Sequence, residues 1–346
     1  MMNEESTGSN TYDAELCKEA ANAFWEAIKT CNETGMYTLQ PWATWTDIFW
    51  VWSPGWRALP GGTEVIMDSP PYDPSISKWR MFTTPIRMGG TNGVVEYPTH
   101  NYIKNYGMAN GLPIDAAGSG FNPDDPWTGR EPRFYKDIIV DGDKIVSSNT
   151  SGVDQYAQMY TGGLHRTPSG YYYKRYSPIG YNKWDNPGFN YFTCYLPFMR
   201  LTDVYLMYAE AVNWGYGSPM AEVTTSGLTD AQAVNAIKNR AQLPDVDSKF
   251  LGSPQSFMEM LIQERAVEFA FETNHRFNDL RRWNISGQEK YLNKTGLEFQ
   301  RGTDGKPINM VERVITRRVV EKKHNWFPFK QSFTMLYPGF PQNPGW

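Results

Sequence analysis

Apolar side chains recur at helical spacing in two parts of the chain, separated by a long stretch where the spacing breaks up. Within residues 13–33, Leu16, Ala20, Ala23, Phe24, Ala27, Ile28 and Cys31 mark one face of an α-helix, with Asp13 placed to cap its start and Gly35 just past its end. The small alanines on that face suit close packing on another helix. Either the helices of the C-terminal half supply that partner, or it lies upstream.

Beyond Pro197 the helical period returns three times. Leu201, Val204, Tyr205, Tyr208, Ala211 and Val212 predict the first of these helices. A second starts at Thr229, where Gln232 completes a capping box, and runs to about residue 242 before Pro244 stops it. Ser253 caps the third and Pro254 occupies its first turn. Its apolar residues, Phe257, Leu261, Ile262, Phe269 and Ala270, spread widely around the axis and predict a central, covered position. Between the two helical parts, residues 64–67 and 171–176 read as short strands. A hairpin is expected with arms at 133–140 and 144–146 about Asp141-Gly142, a dipeptide suited to a tight turn. The tail from Asn325 to Trp346 alternates prolines with aromatic residues. It reads as an irregular strap, with Trp326, Phe327, Phe329 and Tyr337 covering the helices.

Composition narrows the function. Thirty-three Lys and Arg against 37 Asp and Glu leave a net charge of −4 in 346 residues, so no basic excess draws the chain to nucleic acid or to an anionic bilayer. Aromatic residues make up 15% of the chain, including 13 Trp and 21 Tyr, although the mean hydropathy is −0.57. Indole and phenol rings join a flat apolar face to a hydrogen-bonding group, which suits stacking on sugars or on partner proteins. The 30 Gly and 24 Pro predict long, turn-rich loops. No apolar run is long enough to span a bilayer, and the opening MMNEESTGSN lacks the pattern of a signal peptide. Cys17 and Cys31 share one predicted helix about 20 Å apart, beyond disulfide reach, and with Cys194 they read as core residues.

Four blocks of the C-terminal half, RLTDVYLMYAEAV at 200–212, NAIKNRAQLP at 235–244, LIQERAVEFAFETNHRFNDLRRWN at 261–284 and QNPGW at 342–346, together resemble the SusD/RagB family. The segments 20–39, 97–114 and 130–142 resemble it too. The resemblance implies a mainly α fold, a tetratricopeptide-type helical scaffold carrying long irregular loops and short β-hairpins. Members of this family are lipid-anchored surface proteins of Gram-negative bacteria that capture glycans, less often peptides, above a SusC-like TonB-dependent transporter in the outer membrane. It therefore implies a non-catalytic nutrient receptor on the extracellular face of the outer membrane, without cofactor, whose partners are a glycan and that transporter. The family's lipidated signal peptide and first tetratricopeptide-like helices have no counterpart in the sequence. The expectation is a single C-terminal portion, with a scaffold helix at 1–35, a loop-rich ligand-binding region at 36–200, and helices with the aromatic strap at 201–346. A peptide receptor of the same family and a glycoside hydrolase are the alternatives.

Candidate chemistry sorts accordingly. Glu264 and Glu268 lie one helical turn apart among Arg265, Glu272, Arg276, Asp279, Arg281 and Arg282, which reads as an ion-pair network of structural role rather than as paired catalytic acids. His100, His165, His275 and His324 are scattered, without metal-ligand spacing, and a turn accounts for Asp141 and Asp143 better than calcium does. Phe49 reads as core. The glycan platform is expected on loops, from Trp50, Trp52 and Trp56, from Tyr72, Trp79 and Arg80, and from Trp127. A neutral sugar offers little charge, so its affinity must come from stacking aided by a few hydrogen bonds.

Overall fold

The computed structural model describes residues 11–52, 64–68, 96–149, 152–185, 192–221, 223, 227–272 and 275–346. Helix α1 (Ala14–Thr34) begins where Asp13 Oδ1 accepts the Leu16 N–H at 3.0 Å and ends where Gly35 turns left-handed at φ 65°. A 3-10 turn (Trp42–Ile48) leads to β1 (Trp50–Trp52), followed by β2 (Val65–Asp68), the short helices α2 (His100–Ile103) and α3 (Pro132–Asp137), and β3 (Ile138–Ile139). Then come β4 (Tyr172–Tyr173), β5 (Phe192–Cys194) and β6 (Pro197–Arg200). The C-terminal half holds α4 (Leu201–Tyr216), α5 (Asp230–Arg240), α6 (Pro254–Glu268), α7 (His275–Arg282), the short α8 (Glu289–Leu292), β7 (Asn293–Arg301), β8 (Pro307–Arg317) and the short α9 (Gln331–Thr334). The described strands pair two by two and antiparallel, β1 with β5, β2 with β6, β3 with β4 and β7 with β8. The fold is mainly helical, with short strand pairs.

Helix α1 lies along α4, so the C-terminal helices supply its partner. Its buried side is Cys17, Ala21, Ile28 and Cys31, whereas Leu16, Ala23 and Ala27 are exposed, a small rotation from the predicted face. The cause lies across the contact. A Cβ on Gly215 of α4 would stand 3.1 Å from the Lys18 backbone nitrogen, so the two helices meet backbone to backbone there and the seam runs through Cys17. Around this pair, Leu206, Val212, Val234, Ile237, Phe257 and Leu261 form the helical core. Helix α6 is buried on most sides, as its wide apolar coverage predicts.

The predicted hairpin about residues 141–142 is not formed. Residues 132–137 are helical, because Pro132 sits in the first turn and the spacing of Arg133 and Asp137 buries both on one side. β3 pairs with β4 instead, Ile138 opposite Tyr173. A turn does close there, with the Asp143 N–H on the Val140 carbonyl at 3.2 Å and Gly142 at φ 83°, but its outgoing strand bridges from Lys144 to Tyr156. Asp141 holds Arg301 at 2.7 Å, and Asp143 accepts the Val140 N–H at 3.0 Å.

The capping box of α5 is complete, with Thr229 and Gln232 each bonding the other's backbone N–H. The next residue, Asp230, is fully buried; one carboxyl oxygen accepts the Ala231 N–H at 2.7 Å and the other has no partner. Burial pushes its pKa up to about 8. In the unfolded chain the group ionises near pH 4, so between about pH 4 and 8 the native state holds a proton that the unfolded state releases. Stability from this site is thus present at low pH and lost as pH rises to about 8. Asp230→Asn keeps the acceptor oxygen and removes the titration; its stability relative to the parent, followed by denaturant midpoints from acidic to alkaline pH, should grow through that window and then level off. A constant difference across the window would refute the assignment.

Buried ion pairs join these elements. Arg200, fully buried, donates to Glu64, to Glu268 at 3.1 Å and to Glu272 at 2.9 Å. Arg175 holds Asp137 and Glu272, each at 2.7 Å, and Arg133 reaches Glu131, Glu264 and Glu268. Burial alone would raise the Glu268 pKa, but Arg240, Arg200, Arg133 and Arg175 outweigh it and hold the carboxyl far below its ordinary range. A second group ties α6 and α7 to α4, with Arg265 on Asp203 and Asp279 and Arg282 on Asp279 and Glu210.

Candidate functional site

The chain beyond α6 shapes a cavity of about 580 Å³. Just after the helix, Phe271 takes a left-handed φ of 64°, a strained conformation for a bulky side chain. The strain is held by packing, since its ring meets Tyr173 edge-on at 4.5 Å and Tyr102 at 5.5 Å. Both tyrosines line the cavity beside Tyr97 and Phe269. Helix α7 contributes Arg276, Phe277, Leu280 and Arg281 to the wall.

The β7–β8 ribbon supplies the facing side. Lys294 stands opposite Thr316, and the Arg318 N–H bonds the Leu292 carbonyl at 2.9 Å just past the ladder. Strand alternation therefore places Lys294, Thr316 and Arg318 on one face. Arg317 points the other way, onto Glu289. The rim comes from the tail, where Trp326, Phe327, Pro328 and the last residue, Trp346, line the opening. The Trp346 indole N–H, placed to bond both the Lys323 carbonyl at 3.0 Å and the Trp326 carbonyl at 3.1 Å, closes the tail on itself.

The tail was expected to cover the helices, and it does so only in part. Trp326, Phe327, Phe329 and Tyr337 are 40%, 67%, 43% and 55% exposed. The segment touches α7 through Arg281, whose guanidinium lies 4.4 Å from the Phe327 ring centre, and the more distal rings pack on one another, Tyr337 and Phe329 on Phe340. With so few contacts inward, Trp326 and Phe327 stay at the pocket mouth, whereas Phe329 and Tyr337 lie outside the cavity lining.

The charge of the lining is one-sided. Arg276 donates to the Ile262 carbonyl at 3.0 Å and lies over the Tyr291 ring, and Arg281 lies 4.9 Å from the Phe277 ring centre and 4.4 Å from that of Phe327. Burial, with Arg318 and Arg276 nearby, lowers the Lys294 pKa to about 8. Glu272 is the one acidic side chain among the described lining residues, and Arg175 and Arg200 already hold it. His324 accepts the Glu321 N–H on Nδ1 at 2.8 Å.

Of the loop residues expected to bind ligand, Trp56, Tyr72, Trp79 and Arg80 lie outside the described residues. Trp50 is half-buried and meets Trp52 edge-on at 5.8 Å; Trp52 is 40% exposed and rests against Gly180. Trp127 is half-buried beside the core, edge-on to Phe299 at 5.3 Å. None of these three lines the cavity. Glu264, Arg265, Glu268, Asp279 and Arg282 sit in the buried ion pairs, whereas Arg276 has no carboxylate partner among the described residues and lines the cavity. Lys294 and Arg318 escaped the sequence reading. The signal was the neighbouring pair Arg317-Arg318 on a strand, which alternation must send to opposite faces.

The SusD family model matches residues 63–346, and the chain belongs to that family. No curated protein matches it in sequence. A SusD-like protein from Bacteroides fragilis NCTC 9343 is 23% identical, with a TM-score of 0.67 over 95% of this chain and 63% of the other. A SusD-like carbohydrate binding protein from the same organism is 17% identical, with a TM-score of 0.60 over 90% and 60%. A SusD homolog from Bacteroides thetaiotaomicron VPI-5482 is 20% identical, with a TM-score of 0.54 over 96% and 63%. At these identities the likeness is one of fold, and the chain spans less than two thirds of the length of each. No helix among the described residues is long and apolar enough to cross a membrane.

Proposed function

We propose that this protein is a non-catalytic receptor that binds an oligosaccharide at the outer face of the outer membrane and passes it to a SusC-like TonB-dependent transporter. The observation that carries the reading is the open pocket, edged by Trp326, Phe327 and Trp346, in a chain of the SusD family. Its volume is in the range of small-ligand sites, and part-exposed indoles at its mouth offer flat apolar faces to the C–H face of a pyranose. The similarity in fold to a SusD-like carbohydrate binding protein supports a saccharide over a peptide. Glycosidic hydrolysis needs two carboxyl groups facing across about 5–9.5 Å. Glu272 stands alone among the described lining residues and is engaged by two guanidinium groups, which supports binding without turnover. Trp52, exposed on β1, offers a second stacking surface away from the pocket.

Trp326→Ala should weaken binding of a retained polysaccharide by about tenfold or more, as loss of a stacking anchor does. Thermal unfolding should barely change, because the ring is already part-exposed. Affinity electrophoresis across polysaccharides and casein-like peptides measures the first. Retardation by peptides alone, or release of reducing sugar, would overturn the reading.

A further inference from the structure

Arg276, Arg281, Lys294 and Arg318 all line the pocket, and none has a carboxylate partner among the described residues. The Arg281 Nε is buried without a hydrogen-bond partner. Such crowding is unusual in a chain of net charge −4, which has enough acids to neutralise its bases elsewhere. The nearby carboxylates do not neutralise it. Glu272 is consumed by Arg175 and Arg200, Glu96 beside Tyr173 is exposed, and Glu321 is exposed next to Lys323. Arg276, Arg281 and Lys294 are half-buried and Arg318 is exposed; burial depresses the Lys294 pKa, and repulsion from Arg318 and Arg276 adds to it. A bound anion would relieve it.

Resting on the glycan-receptor reading, we propose that the pocket selects an acidic saccharide, its carboxylate or sulfate held among Lys294, Arg318 and Arg276 while the sugar ring stacks at Trp326. Arg318 and Arg276 present planar forks matched to either oxyanion, and Lys294, near both, adds a point charge. A neutral sugar would leave these cations without an anionic partner among the described residues.

Calorimetric titration of the 346-residue chain with matched ligand pairs tests this. One pair is an oligogalacturonate and its methyl ester, which keeps the sugar and removes the charge; the other is a sulfated galactan oligosaccharide and its desulfated, neutral form. In at least one pair the charged member should bind about tenfold or more tightly than its twin, with the difference shrinking as salt rises. Loss on esterification assigns the site to carboxylate, and loss on desulfation to sulfate. Lys294→Gln and Arg318→Gln should each erase most of that preference. Arg317→Gln, the same charge change on the opposite face, should leave it intact. If both twins of each pair bind equally, or Arg318→Gln changes nothing, the inference is overturned, and Trp326→Ala still weakening the neutral ligands would show that the glycan-receptor reading survives it. If no saccharide of either charge binds, both fall together.

Discussion

Replacing Arg200 with alanine should destabilise the fold by about 3–5 kcal/mol, the cost of removing one partner from a buried charge network. Arg200 closes β6, pairs across to β2 at Val65, and reaches three carboxylates from two distant segments, Glu64 beside β2 and Glu268 and Glu272 at the end of α6. Glu64 would keep Arg240 at 2.9 Å and the Thr202 hydroxyl, and Glu272 would keep Arg175. Each acid would nonetheless carry less compensation in a site without water access. Arg200→Lys should recover little, because an ammonium cannot hold three carboxylates with one planar fork. Denaturant unfolding of the two variants measures this, and a loss below about 1 kcal/mol for alanine would mean that the remaining arginines are sufficient. The pocket would suffer as well, since Glu272 in its wall would be left with Arg175 alone.

Gly296→Ala should cost roughly 3 kcal/mol, the upper end of ordinary overpacking, and should weaken ligand binding at the same time. A Cβ at this position would stand 2.1 Å from the Pro168 carbonyl oxygen and 3.0 Å from the Ser169 Cα. Both are backbone atoms that cannot rotate away. The contact is locked from each side, with the Leu297 N–H on the Ser169 carbonyl at 3.0 Å and Gly170 meeting the Leu297 carbonyl in a left-handed turn. Relief of the clash must lift β7 from the body, and Lys294 lies two residues upstream on the same strand. Denaturant midpoints and titration of ligand at a temperature where the variant stays folded test both halves. Stability within about 0.5 kcal/mol of the parent would show that the strand does not sit this close.

The legible parts of this protein were those whose causes are local. Asp13, Thr229 with Gln232, and Ser253 announce three helix starts because a cap bonds a backbone N–H two or three residues away, and the structure has all three. The hairpin about Asp141-Gly142 failed because turn chemistry is local but strand partnership is not; Tyr172 and Tyr173 won the pairing from some 30 residues downstream. The face of α1 was displaced for a similar reason, since Gly215 sits on another helix. The charged run from Glu264 to Arg282 showed its structural character through alternating sign, although its partners Arg133, Arg175, Arg200 and Arg240 could not be found by spacing.

The pocket marks the division most sharply. Periodicity, caps and family motifs determined from the sequence alone that α1, α4, α5 and α6 form and that the chain has a SusD-like helical frame, because those signals act within a few turns of one helix. Only the tertiary structure decided that the tail's indoles edge a cavity instead of covering helices, and that Arg276, Lys294 and Arg318 converge without an ion-paired carboxylate among the described residues. Convergence of charges from a helix, a strand and the segment after another strand depends on how the ribbon docks on α7, and no spacing along the chain encodes a docking angle.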